Sequence, residues 1–406
     1  MADVPRAPSI VGSPRWIVTL SAMTAISALS IDLSLPAQPT LATMFDVSAE
    51  TAQLTLSLFL IGFAAAQIIA GYLSDAWGRR RVMIVGLALF AVAGVACASS
   101  PTIEVLLACR MLQGIGAAAA PVVARAMVRD TQPPAQAARL LSTMLAALAV
   151  GPMIAPLLGG LLLSALGWRS IFATLALFGV VLYLVARWTL VDTLAPERRT
   201  IASPSGLVRG FRKFFMTRGT RLPTLIGCAA YGGQFAFISA SPFVLIDGYH
   251  VAPGHFGFYF GALAFALMIG SLTGGRMLRA GRSPSAMLVV GTTLLLAGGV
   301  LVVIGTHVSG LGLLGFMPPL AIYFFGFGIT TPSSTAKAME PVPDIAGTAS
   351  AAIGFLWLTS GSISGYVTIR IGGSAPETFA IVMLAMASIA FTLAMVATGL
   401  RRRLAR

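Results

Sequence analysis

The sequence predicts an all-α polytopic membrane protein: twelve transmembrane helices arranged as two pseudo-symmetric six-helix bundles. Three observations carry this. Of 406 residues, 57% are hydrophobic and only 10% charged, with a mean hydropathy of +0.89, too little polar surface for a soluble protein of this size. Apolar runs of about 20 residues, long enough to cross a hydrocarbon core of ~30 Å, recur along the whole chain. A long basic loop divides those runs into two sets of six.

The runs fall at 16–38, 52–74, 82–100, 102–124, 140–164, 169–190, 222–246, 256–278, 284–305, 311–333, 347–369 and 376–400. Runs of this length read as helices, because barrel strands are ~10 residues long and alternate in polarity. The very short turns within 82–124 and 284–333 read as helical hairpins. The net charge of +14 follows the same topology. With the N-terminus in the cytoplasm, all Lys and Arg except Arg110, Arg169 and Arg370 fall in or beside cytoplasmic segments. Clusters stand at Arg79–Arg81, at Arg276, Arg279 and Arg282, and at Arg401, Arg402, Arg403 and Arg406. The loop at 191–221 adds Arg198, Arg199, Arg209, Arg212, Lys213, Arg218 and Arg221. This asymmetry is the positive-inside rule, and it places both termini in the cytoplasm. The basic balance therefore reports topology, not a nucleic-acid partner. Residues 1–15 lack the apolar core and cleavage site of a signal peptide, so the first helix is expected to be retained, in a bacterial inner membrane.

These boundaries define an N-terminal bundle (1–190), a basic cytoplasmic linker (191–221) and a C-terminal bundle (222–406). An internal echo supports duplication. GYLSDAWGRR begins at Gly71, and GGRMLRAGRS spans Gly274–Ser283, with Leu278 where Asp75 would stand. Two six-helix halves with a binding site between them at the midplane is the architecture of major-facilitator transporters.

Asp32 and Arg110 are the charges placed well inside apolar runs. A charge at such a depth is costly unless it is paired or lines a cavity, and it is read as functional by default. At ~1.5 Å per residue, Arg110 lies about 12 Å and Asp32 about 9 Å from the outer ends of their runs. Opposite charges at one level neutralise each other, or hold a proton that substrate displaces. A permanent salt bridge that only ties helices together is the alternative. Gln113, one turn beyond Arg110, extends the same network. The three cysteines Cys97, Cys109 and Cys228 lie in apolar runs with no disulfide or metal spacing. No zinc-binding HExxH and no Walker lysine motif is present, so neither a metal nor a cofactor is expected, and an enzyme is not expected either. Two unlike halves with one deep acid make no selectivity ring, which argues against a channel.

Three segments carry more specific patterns. GYLSDAWGRRR, from Gly71 to Arg81, joins the second and third runs on the cytoplasmic side. There Gly71 permits close helix approach, Gly78 permits a tight turn, and Asp75 caps the next helix or pairs with Arg79, beside Arg80. RMLQGIGAA spans Arg110–Ala118. GPMIAPLLGG spans Gly151–Gly160, where Gly151, Ala155 and Gly159 form a smooth ridge and Pro152 and Pro156 each remove a backbone donor, beside Gly160.

The first segment resembles the complete G-x-L-x-D-x-x-G-R-R/K signature of the major facilitator superfamily, which implies a cytoplasmic gate latching the two halves. The second resembles the superfamily's R-x-x-Q-G pattern, whose arginine is implicated in proton transfer. The third resembles the G-P-x(3)-P-x-x-G-G element of its antiporter branch. SIDLSLPAQP at Ser30–Pro39, LSLFLIGFAAAQIIAGYLSDAWGRR at Leu56–Arg80, SPFVLIDGYHVAPGHFGFYF at Ser241–Phe260 and DIAGTASAAIG at Asp344–Gly354 are similar to the Bcr/CflA family of drug:proton antiporters. The resemblance implies export of small amphipathic compounds or antibiotics of the bicyclomycin or chloramphenicol type, exchanged for protons and driven by their gradient. Export of a metabolite such as an amino acid or sugar is the alternative. The family's first helix usually reads D-M-Y-L-P; here Ser34 stands in place of the tyrosine. The expected partners are a small-molecule substrate, protons and the lipid bilayer, with the protein a monomer. Asp32, Ser34, Tyr231, Gln234, Phe235 and Trp357 are the candidate cavity residues. The aromatic runs Phe256–Phe260 and Tyr323–Phe327 either line that cavity or pack helices.

Overall fold

A computed structural model describes residues 13–194, 204–308, 310–372 and 375–404; the linker arginines Arg198 and Arg199, and Arg406, lie outside the described residues. Among the described residues the secondary structure is helical. The helices are α1 (Pro14–Asp32), α2 (Gln38–Met44), α3 (Ala49–Trp77), α4 (Arg79–Ala98), α5 (Ile103–Thr131), α6 (Pro134–Leu166) and α7 (Trp168–Thr189). They continue as α8 (Pro204–Met216), α9 (Arg218–Pro242), α10 (Pro253–Arg279), α11 (Pro284–His307), α12 (Gly312–Met339), α13 (Ala346–Arg370) and α14 (Pro376–Leu404).

Local sequence explains where these helices begin and turn. Ser13, Ser48, Thr102 and Ser283 each present a hydroxyl to a free amide in the first turn of α1, α3, α5 and α11. Pro14 and Pro284 follow two of those caps, where a missing N–H costs nothing. A single residue, Gly78, reverses the chain between α3 and α4 at φ 95°, a conformation that a side chain would strain.

Among the described residues, eleven helical stretches are long and apolar enough to cross a membrane, and Gly151–Leu166 of α6 is a shorter apolar helix. Several stretches run past the expected bounds, as α5 does to Thr131 and α12 to Met339, and two do so through a change of helix type. The first extends over Pro14–Met44, because a 3-10 turn at Leu35–Ala37 connects α1 to α2 rather than ending the span. The seventh extends through a π-helical turn at Phe243–Gly248. α8 lies within what the sequence suggested was only a basic linker.

The ends of α3, α5, α7 and α12 and the starts of α4, α6, α9 and α13 share one end of the bundle, here called the basic end. Close packing relies on missing side chains. A Cβ at Gly114 of α5 would sit 2.1 Å from the Phe59 carbonyl of α3, and one at Gly270 of α10 would sit 2.1 Å from the Phe325 carbonyl of α12. Among helices that gain nothing from hydrophobicity in lipid, such close approach supplies the association energy. Gly270 and Gly274 of α10 pack on α12, and Gly361 and Gly365 of α13 pack on α9.

Helices before and after the linker meet away from the basic end. Gln53 Nε2 of α3 donates to Ser239 Oγ of α9 at 2.6 Å, and Ser362 Oγ of α13 donates to the Ser57 carbonyl at 3.4 Å. A Cβ at Gly160 of α6 would lie 2.2 Å from the Pro253 carbonyl at the start of α10.

Candidate functional site

Arg110 is wholly buried in α5. Its Nε donates to the Thr55 carbonyl (3.1 Å), one terminal nitrogen to Gln113 Oε1 (2.7 Å), and the other to the Ser30 carbonyl (3.3 Å) and Ser34 Oγ (3.5 Å). The guanidinium carbon stands 4.4 Å from the centre of the Phe59 ring and 5.5 Å from that of Phe172. The cation is thus held by neutral acceptors and two ring faces, each a favourable contact for a planar guanidinium. Gln113 Nε2 is buried without a hydrogen-bond partner among the described residues.

Asp32, 5% exposed, ends α1. Here the expected pairing fails: no ion pair or hydrogen bond joins Asp32 to Arg110 among the described residues. Helix geometry gives the reason. Ser30 and Ser34 are four residues apart and face α5 together, whereas Asp32, two residues from each, points about 200° away. Ser34, at the position where a tyrosine was expected, is one of Arg110's contacts.

The structure brings Tyr231, Phe235 and Trp357 together. Tyr231 of α9 stacks on Trp357 of α13 with centroids 4.8 Å apart, on Phe235 at 6.2 Å, and meets Phe327 edge-on at 5.2 Å. Trp357 Nε1 donates to the Thr224 carbonyl at 3.2 Å, and its indole fills the space that a Cβ on Gly227 would occupy. Gln234 is half-buried on α9. The longer aromatic runs divide differently. Phe256, Phe260, Tyr323 and Phe324 are buried in an aromatic core around Phe237, and Phe258 is exposed, so Phe327 is the member that reaches Tyr231.

At the basic end, Arg79 organises a second polar cluster. Its side chain donates to Asp75, to Ser74 Oγ (2.7 Å) and to Asp130 Oδ2 of α5 (2.8 Å). Asp192, not Asp75, accepts the Arg79 amide at the start of α4 (3.0 Å). Arg80 donates to the carbonyls of Leu190 and Arg187. All these partners except Asp192, at the start of the linker, precede it, so the bonds tie α3, α4, α5, the end of α7 and the first linker residues together. Gly71 is not needed for close approach: a Cβ there meets only Val122, at 3.6 Å. Asp130 and Asp192 were missed by motif reading. Their signal was rarity, since with 13 acids in the chain each one at a helix end merits a partner.

α6 continues through Pro152 and Pro156. Along its ridge, Gly151 meets only Ala28 at 3.8 Å, Ala155 is fully buried, and a Cβ at Gly159 would lie 2.2 Å from the Leu33 carbonyl, beside Asp32. Gly159 therefore sets α6 against the residue that follows the acid, while Gly160 sets it against α10.

A polytopic helical bundle with buried charge, glycine-lined helix contacts and an arginine-centred turn between its second and third spans defines a membrane transporter. The chain belongs to the Major Facilitator Superfamily, whose profile matches residues 20–366. It is 35% identical to an uncharacterised transporter of this type, YdgK of Bacillus subtilis, over 85% of this chain and 86% of that one. It is 32% identical to a chloramphenicol resistance protein of Pseudomonas aeruginosa, over 82% of this chain and 79% of that one. Its fold matches a peptide transporter crystallised with alafosfalin, with a TM-score of 0.76 over 98% of this chain and 96% of that one at 16% identity. The chloramphenicol resistance relative accords with the Bcr/CflA resemblance.

Proposed function

We propose that the protein exports small amphipathic compounds, of the chloramphenicol or bicyclomycin class, in exchange for protons. The observation that carries this is Asp32: a carboxyl almost shielded from water, within the first span, with no cation bonded to it among the described residues. Such a group is stable in a dry site when it carries its proton and is stabilised as the anion when water or a cation reaches it. Alternating exposure would then load and unload one proton per cycle. Arg110, fixed by Gln113 and Ser34, would hold positive potential nearby and favour release when substrate arrives. Tyr231, Phe235 and Trp357 offer flat apolar faces with polar edges, a surface suited to amphipathic rings.

In this reading residues 1–190 and 222–406 are two bundles that rock against each other about the 191–221 linker. Both termini and the basic end lie in the cytoplasm of a bacterial inner membrane. The contacts at Gln53–Ser239 and Gly160–Pro253 would then seal the outer side. The Arg79 side chain, bonded to Ser74, Asp75 and Asp130 of its own half, would be the unlatched form of the cytoplasmic gate. The protein would act as a monomer.

The test is transport into everted vesicles under an acid-inside gradient, with proton release from the purified, liposome-reconstituted protein screened against a chemically diverse panel. Uptake should collapse with a protonophore and survive ATP depletion. Proton release by an amino acid or sugar, with none by amphipathic antibiotics, would move the assignment to metabolite export.

A further inference from the structure

α8 carries an arrangement that transport does not use. One side is buried: Phe214, 1% exposed, joins Ala338, Val342, Ala349, Ile353 and Trp357 in a separate apolar cluster. Gly210 lies against Thr348 of α13. Its C-terminal end is fixed by Arg221, which donates to the Phe215 carbonyl (2.8 Å) and the Met216 carbonyl (3.4 Å), and by Thr220, which donates to the Phe214 carbonyl (2.7 Å). The helix is therefore held rigidly where α9 enters the spanning bundle.

The opposite side mixes apolar and cationic residues in rows. Val208, Arg212 and Phe215 follow one another at spacings of four and three, which places them on one line. Arg209 and Met216 lie one row over. Val208 is 65% exposed, Phe215 45% and Met216 61%, and both arginines are exposed. Water alone gives no reason to display three large apolar side chains on a helix anchored by its other face. A bilayer interface does: apolar side chains enter the acyl boundary while flanking cations meet headgroup phosphates.

We propose that this face of α8 docks on anionic lipid headgroups at the basic end of the bundle. Charge complementarity selects the occupant. The exposed side carries arginines among apolar residues and no acid, and Arg218 and Arg221 extend the same sign toward α9. Because Phe214 shares its cluster with Trp357, docking would also set the position of the α13 segment from Ala349 to Trp357. The docking itself is independent of which compound is carried or in which direction.

A bimane fluorophore on Val208→Cys tests this in nanodiscs of brominated lipid, with the full chain and without any transport substrate. In discs containing phosphatidylglycerol the probe should be quenched. The combined substitution Arg209→Gln and Arg212→Gln should lower the docked-to-undocked ratio roughly thirtyfold, as two cations near an anionic surface imply. Arg209→Lys with Arg212→Lys should restore quenching, which separates lost charge from a misfolded helix. Quenching that is equal in neutral phosphatidylcholine discs would overturn the headgroup assignment. A probe that stays water-exposed in anionic discs would overturn docking on lipid altogether and leave the face to a protein partner.

Discussion

At the scale of single residues, the site depends on which face of α1 each side chain takes. Sequence depth alone suggested that Asp32 and Arg110 are partners. Helical phase, equally present in the sequence, assigns Ser30 and Ser34 to Arg110 and turns Asp32 away. The composition rule found both charges; it did not resolve the pairing, because a buried guanidinium is also satisfied by carbonyls and ring faces that no motif marks. Phe59, Thr55 and Phe172 were invisible for the same reason. Two outcomes follow for substitution. Asp32→Asn should keep substrate binding while abolishing uphill export and substrate-induced proton release, read by a pH dye in reconstituted vesicles; export against a gradient by this variant would place coupling elsewhere. Gln113→Leu should leave a donor of Arg110 without its acceptor in a dry site, lowering thermal stability by about 1–3 kcal/mol, measurable as an earlier melt in detergent.

At the scale of elements, glycine spacing was legible as close packing but not as a ranking of positions. The ridge of α6 looked uniform, yet Gly151 has room for a methyl group, whereas Gly159 and Gly160 each face a backbone carbonyl that a Cβ would strike. Gly151→Ala should therefore preserve transport, and Gly160→Val should depress it by forcing α6 from α10, at a cost of about 1–3 kcal/mol to the state with that contact closed. Equal tolerance of both would show that the contact is not limiting. The turn after α3 was legible as a charged motif, but its third member was not, since Asp130 lies 51 residues further along. Asp130→Asn should impair cycling as strongly as Asp75→Asn, both with substrate affinity kept, because each removes one carboxylate from the same guanidinium; a binding constant that collapsed with either would put the cluster in the substrate path. α8 escaped notice because a basic segment between two hydrophobic runs reads as a loop unless its apolar residues are counted at helical spacing.

At the scale of the whole molecule, twelve apolar runs and their charge asymmetry made the fold legible, because lipid forces the backbone into helices and leaves little choice of element. What the runs do not encode is which end of the bundle is closed, since that depends on contacts between residues far apart in sequence. Gln53 and Ser239, 186 residues apart, meet through side chains of no special rarity. The same contact offers the decisive test of alternating access. Two cysteines placed there, Gln53→Cys and Ser239→Cys, can be bridged by a short bis-methanethiosulfonate reagent added during turnover, when this buried contact opens, while Cys97, Cys109 and Cys228 are controlled by the single variants. If transport requires the two halves to separate at this end, cross-linking should arrest it in the double variant and leave both single variants active. A cleavable reagent should restore transport on reduction, which distinguishes a locked carrier from a damaged one. Substrate binding measured from the basic end should survive the cross-link, because the lock closes only the opposite end. Full transport with the cross-link in place would mean that the Gln53–Ser239 contact never opens, and the carrier would need another route between the halves.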